Sequence, residues 1–320
     1  MQEIVFNHKP VLFEETIESL GIRPDGTYID GTAGGGGHSG AILERLTTGK
    51  LLSIDRDPDA IAVVRARLSK YPGSIVAMGN FSEMDRIAAE HGISSVDGVL
   101  LDIGVSSFQL DTAERGFSYH SDAPLDMRMS KSGTSAADLV NMLSWQQLAE
   151  IISRYGEDKS AARIAKGIVA AREKKPIETT AELAEIVRES VPAAVRRAEG
   201  HPARRTFQAL RIAVNDELGA LEDFLTQSGE VLREGGRLSV ISYHSLEDRL
   251  VKNKNFIRSG RFSGEVEKDF YGNPLRPLQP VERKAIVPSE REMAENSRAR
   301  SARLRVGEKV AGQHDKNGKR

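Results

Sequence analysis

Four consecutive glycines, Gly34 to Gly37, lie between a short β-rich run, Thr27-Tyr28-Ile29-Asp30, and a helical stretch from about His38 to Leu46. Strand, glycine loop and helix in that order constrain the fold more than any other feature of the chain. A glycine run costs folding entropy. Its use is to let a ligand approach main-chain N–H groups that a Cβ would shield. The rhythm continues with a strand over Lys50-Leu51-Leu52-Ser53-Ile54-Asp55 and a helix from Pro58 to Leu68, with proline in the first turn, where a missing N–H costs nothing. Ser74 to Met78 reads as a third strand, and Val96 to Asp102 as a fourth, apolar enough to be buried on both faces. Alternation of this kind predicts βαβ units: an α/β protein with a mostly parallel, doubly wound sheet.

After Asp102 the alternation stops until Arg237-Leu238-Ser239-Val240-Ile241-Ser242, a fifth strand. Between them, Ser144 to Ser153, Ser160 to Glu173 and Thr180 to Glu189 carry apolar residues at helical spacing, separated by Tyr-Gly and Lys-Lys-Pro breaks. This predicts a small helical domain over residues 111–204 inserted into a sheet domain made of residues 1–110 and 205–320. Phe207 to Leu232 reads as one long amphipathic helix leading back to the sheet. Gly260 to Pro280 reads as irregular, Arg303 to Val306 as a final strand, and Lys309 to Arg320 as disordered.

Of the 320 residues, 45 are basic and 46 acidic, so no global field marks a nucleic-acid or membrane protein. Locally the balance tips: Arg298 to Arg320 holds eight Lys/Arg against Glu308 and Asp315. The absence of cysteine excludes disulfides, thiol nucleophiles and Cys-ligated metals and fits a reducing compartment. No metal site is evident among seven scattered histidines. The N-terminal residues do not resemble a signal peptide, and no apolar run approaches ~18 residues. The expectation is a soluble, cytoplasmic protein without membrane contact.

Two ligands suit the loop. Gly35, Gly37 and Gly40 satisfy G-x-G-x-x-G, and Asp55 follows at the end of strand two, as in nicotinamide or flavin dinucleotide sites. Asp30-x-x-x-Gly34-x-Gly36 instead matches S-adenosylmethionine sites, where a carboxylate at the loop entrance helps bind an ammonium and would repel a diphosphate. Asp55 suits a ribose diol in either case. Phe81 either covers an adenine face or packs in the core. Asp102 ends strand four, at the carboxyl edge where open α/β sheets bind ligands.

Nine segments in one order then carry a resemblance. They are His8-Lys9-Pro10-Val11-Leu12; Asp30-Gly31-Thr32 with Gly36-Gly37-His38-Ser39; Asp55-Arg56-Asp57-Pro58; Leu101-Asp102-Ile103-Gly104-Val105-Ser106-Ser107; and Arg115-Gly116-Phe117-Ser118. Pro124-Leu125-Asp126-Met127-Arg128-Met129, His201-Pro202 with Arg205-Thr206-Phe207-Gln208-Ala209-Leu210-Arg211-Ile212, Ser242-Tyr243-His244-Ser245-Leu246-Glu247-Asp248-Arg249, and Arg298-Ala299-Arg300-Ser301-Ala302 follow. Together they resemble the ribosomal RNA small subunit methyltransferase H family, which methylates N4 of a cytosine in the decoding region of 16S ribosomal RNA. The resemblance implies a class I S-adenosylmethionine-dependent methyltransferase fold. It places Gly36, Gly37 and His38 on the methionine end of the cofactor, Asp55 on the ribose, Phe81 near the adenine, and Asp102 and Gln109 at the pocket's remaining sides. Ala33, Gly35, Arg204 and Ser297 depart from the family's commoner residues, which touches loop shape and RNA contact only.

An exocyclic cytosine amine is a poor nucleophile, so positioning dominates the chemistry, and a nearby carboxylate can accept its N–H. Asp102 is the candidate acceptor. His244 reads as a hydrogen-bonded structural histidine, Tyr243 as either a stacking or a core residue, and Asp126-Met127-Arg128-Met129 as core methionines flanking an ion pair or a loop over the site. Arg115, Arg128, Arg204, Arg205, Arg298 and Arg300 are candidate RNA contacts. With aromatics at 5% no stacking platform is visible, which favours recognition of 16S rRNA within a small ribosomal subunit over a free strand. The target base must be unpaired or flipped out. A homodimer is compatible with the sequence. The competing readings are a nicotinamide-dependent oxidoreductase and a non-enzymatic RNA-binding or ribosome-assembly protein.

Overall fold

A computed structural model describes residues 10–198, 200–252 and 278–310. The chain forms two compact units, Met1–Gly104 with Leu218–Arg320, and Val105–Glu217. The segments expected to be irregular at 260–280 and disordered at 309–320 lie mostly outside the described residues.

In the first unit the chain runs α1 (Phe13–Ser19), β1 (Thr27–Asp30), α2 (Gly37–Leu43), β2 (Lys50–Asp55), α3 (Pro58–Leu68), β3 (Ser74–Met78), α4 (Met84–Glu90) and β4 (Val96–Asp102). The four strands begin and end where the sequence places them. Each is a short apolar run ended by a polar or glycine-rich loop. They pair in parallel in the order β3-β2-β1-β4. Right-handed crossovers combined with this reversal after β3 place helices on both faces. Successive side chains accordingly enter different cores. Tyr28, Leu51 and Leu100 pack with Ile42, Val64 and Leu68, while Ile29, Leu52, Val99 and Leu101 pack with Met84, Ile87 and Phe224. This two-faced burial is why the strands read as continuous apolar runs.

The second unit contains α5 (Ser107–Asp111), α6 (Ala136–Met142), α7 (Trp145–Gly156), α8 (Ala161–Arg172), α9 (Thr180–Ser190), α10 (Ala193–Arg196) and α11 (Arg204–Asn215). Capping boxes at Ser106/Gln109, Ser135/Asp138, Ser144/Gln147 and Thr179/Glu182 start four of these helices by satisfying orphan N–H groups at each N-terminus. Leu148, Ile152, Ile164, Ile168, Leu183, Val187, Phe207 and Leu210 form their common core.

The long helix expected over Phe207 to Leu232 is two helices, α11 and α12 (Glu217–Val231), divided at Asp216, whose φ of 46° ends the first. Because Phe207 and Leu210 of α11 belong to the helical core, the units divide at Val105 and Glu217, where the sequence reading drew borders at 111 and 204. An amphipathic pattern reports a buried stripe but not which core buries it.

The chain then forms β5 (Leu232–Ser242), α13 (Ser245–Val251), β6 (Gln279–Pro280), α14 (Glu290–Glu295) and β7 (Arg303–Glu308). β5 extends the parallel set beside β4, and β7 adds antiparallel to it, giving β3-β2-β1-β4-β5-β7-β6. This mostly parallel seven-stranded α/β sheet, with its antiparallel β7, is the doubly wound arrangement expected of the class I methyltransferase fold that the resemblance implies.

Candidate active site

The strand order reverses between β1 and β4, and at such a switch point loops leave adjacent strands toward opposite faces and open a crevice. Asp30 ends β1 and Asp102 ends β4. The two ends are stitched together: Gly31 N–H donates to Leu100 O at 2.9 Å, and Asp102 N–H donates to Thr32 Oγ1 at 2.7 Å. Gly31 must be glycine here, since a Cβ would stand 2.9 Å from Leu101 Cδ1 and 3.2 Å from Phe81 Cβ.

The glycine loop is held by the end of β2. Gly34 and Gly36 adopt φ of 51° and 75°. Gly34 N–H donates to Asp55 Oδ2 at 2.8 Å, while Asp55 Oδ1 accepts from Asp57 N–H at 2.8 Å. Burial pushes the Asp55 carboxyl up to about 6, against these hydrogen bonds. Each oxygen keeps acceptor capacity, and the side chain is partly exposed, so the group can still take a diol.

Asp30 has a different place from the one the sequence suggested. It is 1% exposed, accepts Thr32 N–H at 3.1 Å and the Ser39 hydroxyl at 2.6 Å, and burial raises its carboxyl to about 6. It fixes the loop and α2 from beneath rather than meeting a ligand's ammonium.

His38 lies in the first turn of α2, stacked on Phe13 with ring centroids 5.7 Å apart. Burial lowers its pKa to about 4, so the imidazole is neutral. Its Nδ1 stands 3.9 Å from Asp102 Oδ2, and its buried Nε2 has no protein partner among the described residues. Pro10 crosses above, where a Cβ on Gly37 would come within 2.5 Å of its Cγ.

Asp102 is the candidate chemical centre. Tyr243 donates its hydroxyl to Asp102 Oδ1 at 2.9 Å. Burial pushes the Asp102 carboxyl up to about 7; the Tyr243 hydrogen bond opposes this, and the negative charges of Asp30 and Glu247 add to it. No lysine or arginine neutralises it among the described residues. Such a group holds or releases a proton near neutral pH. The donor set also suits an aminoacyl nucleoside cofactor: an open glycine loop, an orphaned imidazole nitrogen and an acidic group at a strand end.

A family model described as the MraW methylase family matches residues 5–310. The chain belongs to the MraW methylase family. A ribosomal RNA small subunit methyltransferase H from Amoebophilus asiaticus (strain 5a2) is 51% identical over 305 residues, 95% of this chain and 96% of that protein. An rRNA methylase structure from Streptococcus thermophilus aligns over 96% of this chain and 99% of its own at 10% identity and a TM-score of 0.39. A SAM-dependent O-methyltransferase from Thermotoga maritima aligns over 98% and 69%, at 11% identity and a TM-score of 0.38. Membership in a methylase family sets aside the oxidoreductase reading of Gly35, Gly37 and Gly40.

The other residues singled out in this MraW family member fall in several places. Phe81 is half-buried, its ring edge-on to Phe224 at 5.7 Å, so it packs on the core and keeps an exposed side. Gln109 is buried in the helical unit, where its side-chain oxygen accepts Ser106 N–H at 3.0 Å, closing the α5 capping box. Arg115 is a correction: only 7% exposed, it donates to the carbonyls of Arg128 and Met129 at 3.0 and 2.9 Å, and so braces a loop instead of facing RNA. Arg128 pairs with Asp126, its Nη2 2.6 Å from Oδ2, between the buried Met127 and Met129. Arg204, Arg205 and Arg300 are exposed and Arg298 half-buried; Arg205 also donates to Glu157 O at 2.9 Å.

His244 caps α13, with Nδ1 accepting Glu247 N–H at 3.4 Å, a structural role as its position suggested. Sequence reasoning missed Phe13, Thr32 and the pairing of Tyr243 with Asp102. It also saw no aromatic platform, whereas Tyr119, His120 and His201 come together in the helical unit.

Proposed function

We propose that this protein transfers a methyl group from S-adenosylmethionine to N4 of a cytosine in the decoding region of 16S ribosomal RNA. The carrying observation is Asp102: a carboxyl at the β4 end of the switch point, titrating near 7, beside a glycine loop and a neutral imidazole. The methylase family and the name of the 51% identical relative support the substrate class.

When bound, S-adenosylmethionine supplies an electrophilic sulfonium methyl. Gly36, Gly37 and His38 would hold its methionine end, where His38 Nε2 would find a partner. Asp55 would accept from the ribose hydroxyls, and the exposed side of Phe81 would face the adenine. Gln109 is assigned to the same pocket by resemblance. The Asp102 oxygen not taken by Tyr243 accepts an N–H of the target amine, directing the nitrogen lone pair at the methyl carbon. As the N–C bond forms and the donor's C–S bond breaks, the surplus N4 proton passes to Asp102 or, through it, to water. The base is flipped out or unpaired to reach this crevice. The helical unit serves substrate recognition, the particle being the small ribosomal subunit in the cytoplasm. No described helix is long and apolar enough to cross a membrane.

Incubating the protein with labelled S-adenosylmethionine and unmethylated small subunits, followed by nuclease digestion and mass spectrometry, tests the reading. Label on cytosine N4 supports it. Label on another nucleotide overturns the target, and cofactor binding without transfer overturns the substrate. Strong transfer to subunits with weak transfer to naked oligonucleotide is expected; equal transfer would reject recognition of particle shape.

A further inference from the structure

The helical unit gathers four rings from two distant stretches of the sequence, 119–120 and 201–207. Phe207 on α11 is 3% exposed and anchored in the core. Tyr119 meets it edge-on with centroids 5.4 Å apart. His201 stacks on Tyr119 at 4.7 Å with an interplanar angle of 18°, and His120 tilts against it at 4.4 Å. Tyr119 and His201 are half-buried and His120 is exposed, so the ladder runs from core to surface and ends on two imidazoles.

The ladder is built in place. His201 Nδ1 accepts Ala203 N–H at 3.2 Å, which fixes the ring and leaves the proton of the neutral imidazole on Nε2. Ser118 Oγ accepts His120 N–H at 3.1 Å and holds the other segment. Little side-chain freedom remains to be lost when a flat ligand lands. Burial lowers the pKa of His201, and its neighbours His120 and Arg188 add to that lowering. The adjoining segment is rich in cations: Arg188 to Arg205 contains five arginines against two glutamates, all five arginines are exposed, and of these Arg188 is paired with Glu185.

Flat, pre-set rings beside exposed guanidinium groups match one ligand chemistry: an unpaired nucleobase that stacks while its flanking phosphates meet arginine. We propose that the Tyr119–His120–His201 ring cluster is a nucleobase-stacking site for the RNA substrate, with Arg204 as its phosphate contact. This rests on the reading of ribosomal RNA as substrate. It assigns the helical unit a base contact of its own, apart from the base that is methylated.

Two measurements on the full chain test it. The first is ultraviolet crosslinking of the wild-type protein to unmethylated small subunits, with mass spectrometry of the peptides. Nucleotide adducts on Tyr119, His120 or His201 are expected; adducts confined to other peptides would overturn the site. The second compares the wild type with His120→Ala and with His120→Ala/His201→Ala. The double variant should raise KM for the subunit about tenfold, the loss of one base–ring stack, with kcat falling less than KM rises. S-adenosylmethionine affinity should stay unchanged. His120→Ala alone, at an exposed position, covers the case in which loss of the His201–Ala203 bond unfolds the unit. An unchanged KM in folded variants rejects the proposal. If the wild type methylates no RNA, the functional reading fails by itself, and the crosslinks then decide the stacking site: adducts on the rings keep it, and none there removes it.

Discussion

The Tyr243 hydroxyl donates to Asp102 Oδ1 at 2.9 Å, joining the end of β5 to the end of β4 across 141 residues of sequence. The tyrosine is itself held, because its backbone N–H donates to Glu247 Oε2 at 2.8 Å, and Glu247 is fully buried. Burial and the adjoining Asp102 charge keep the phenol protonated well above its ordinary range, so it acts as a permanent donor. The bond leaves Asp102 with one oxygen oriented and the other open toward His38 Nδ1 at 3.9 Å.

Tyr243→Phe removes a hydrogen bond that favours the Asp102 carboxylate, while Asp30, His38 and Glu247 still face it. A hydrogen bond to a charged group contributes about 1.5–3 kcal/mol, so the acidic limb of kcat against pH should move upward by about one to two units. Activity should recover at high pH. A pH profile superimposable on that of the wild type would remove Tyr243 from the mechanism.

Asp102→Asn keeps the shape and the Tyr243 contact but cannot take a proton. Methyl transfer should fall by about 100-fold or more, the usual worth of a positioned base. S-adenosylmethionine affinity, measured by calorimetry, should hold within about threefold, since Asp55 and the glycine loop are untouched. Full transfer at unchanged affinity would show that Asp102 accepts nothing.

Stability should carry the signature of the raised carboxyls. Folded values of about 6, 6 and 7 for Asp30, Asp55 and Asp102 exceed their unfolded ones. Their contributions are therefore complete below about pH 4 and lost as pH rises through 6 to 7. His38, lowered to about 4, works in the opposite sense, losing stability as pH falls from 6.5 through 4. Above pH 6.5 only the carboxyls change. In scanning fluorimetry without cofactor, Asp102→Asn should melt ~4 °C above the wild type at pH 8, and the difference should close toward pH 4.

Asn215→Ala tests the loop that Arg115 braces. Asn215 Oδ1 accepts Met129 N–H at 2.9 Å, and its Nδ2 donates to Met127 O at 2.7 Å and Arg211 O at 2.9 Å. Met127 sits at φ 62°, a left-handed backbone that needs such support. Leaving these buried groups unpaired should cost about 2–4 kcal/mol, seen as early melting of the helical unit and faster hydrogen exchange at Met127 and Met129. Exchange at wild-type rates would show that the loop holds without Asn215.

Much of the sheet was legible because its determinants are local. Thr27 to Asp30, Lys50 to Asp55 and Val96 to Asp102 are apolar runs ended by polar residues, and the structure keeps their bounds. Asp55 and Asp102 were placed at strand ends by the same reasoning. Arg115 misled because a long cation reads as surface, whereas its buried guanidinium bonds carbonyls 13 and 14 residues away. The break at Asp216 was hidden because Phe207 to Leu232 keeps an amphipathic pattern across it, though the two halves join different cores.

By itself the sequence determined the strand–glycine loop–helix unit, the parallel order of alternating elements and the positions of acidic residues at strand ends, since hydrophobic period and backbone freedom act over a few residues. Only the tertiary structure decided which of those acids keeps an open oxygen and a pKa near neutrality. Asp30 and Asp102 end neighbouring strands, yet Thr32 and Ser39 consume one while Tyr243 and His38 flank the other. A pKa depends on desolvation and on charges gathered through space, and the groups that gather here are dispersed from residue 30 to residue 247.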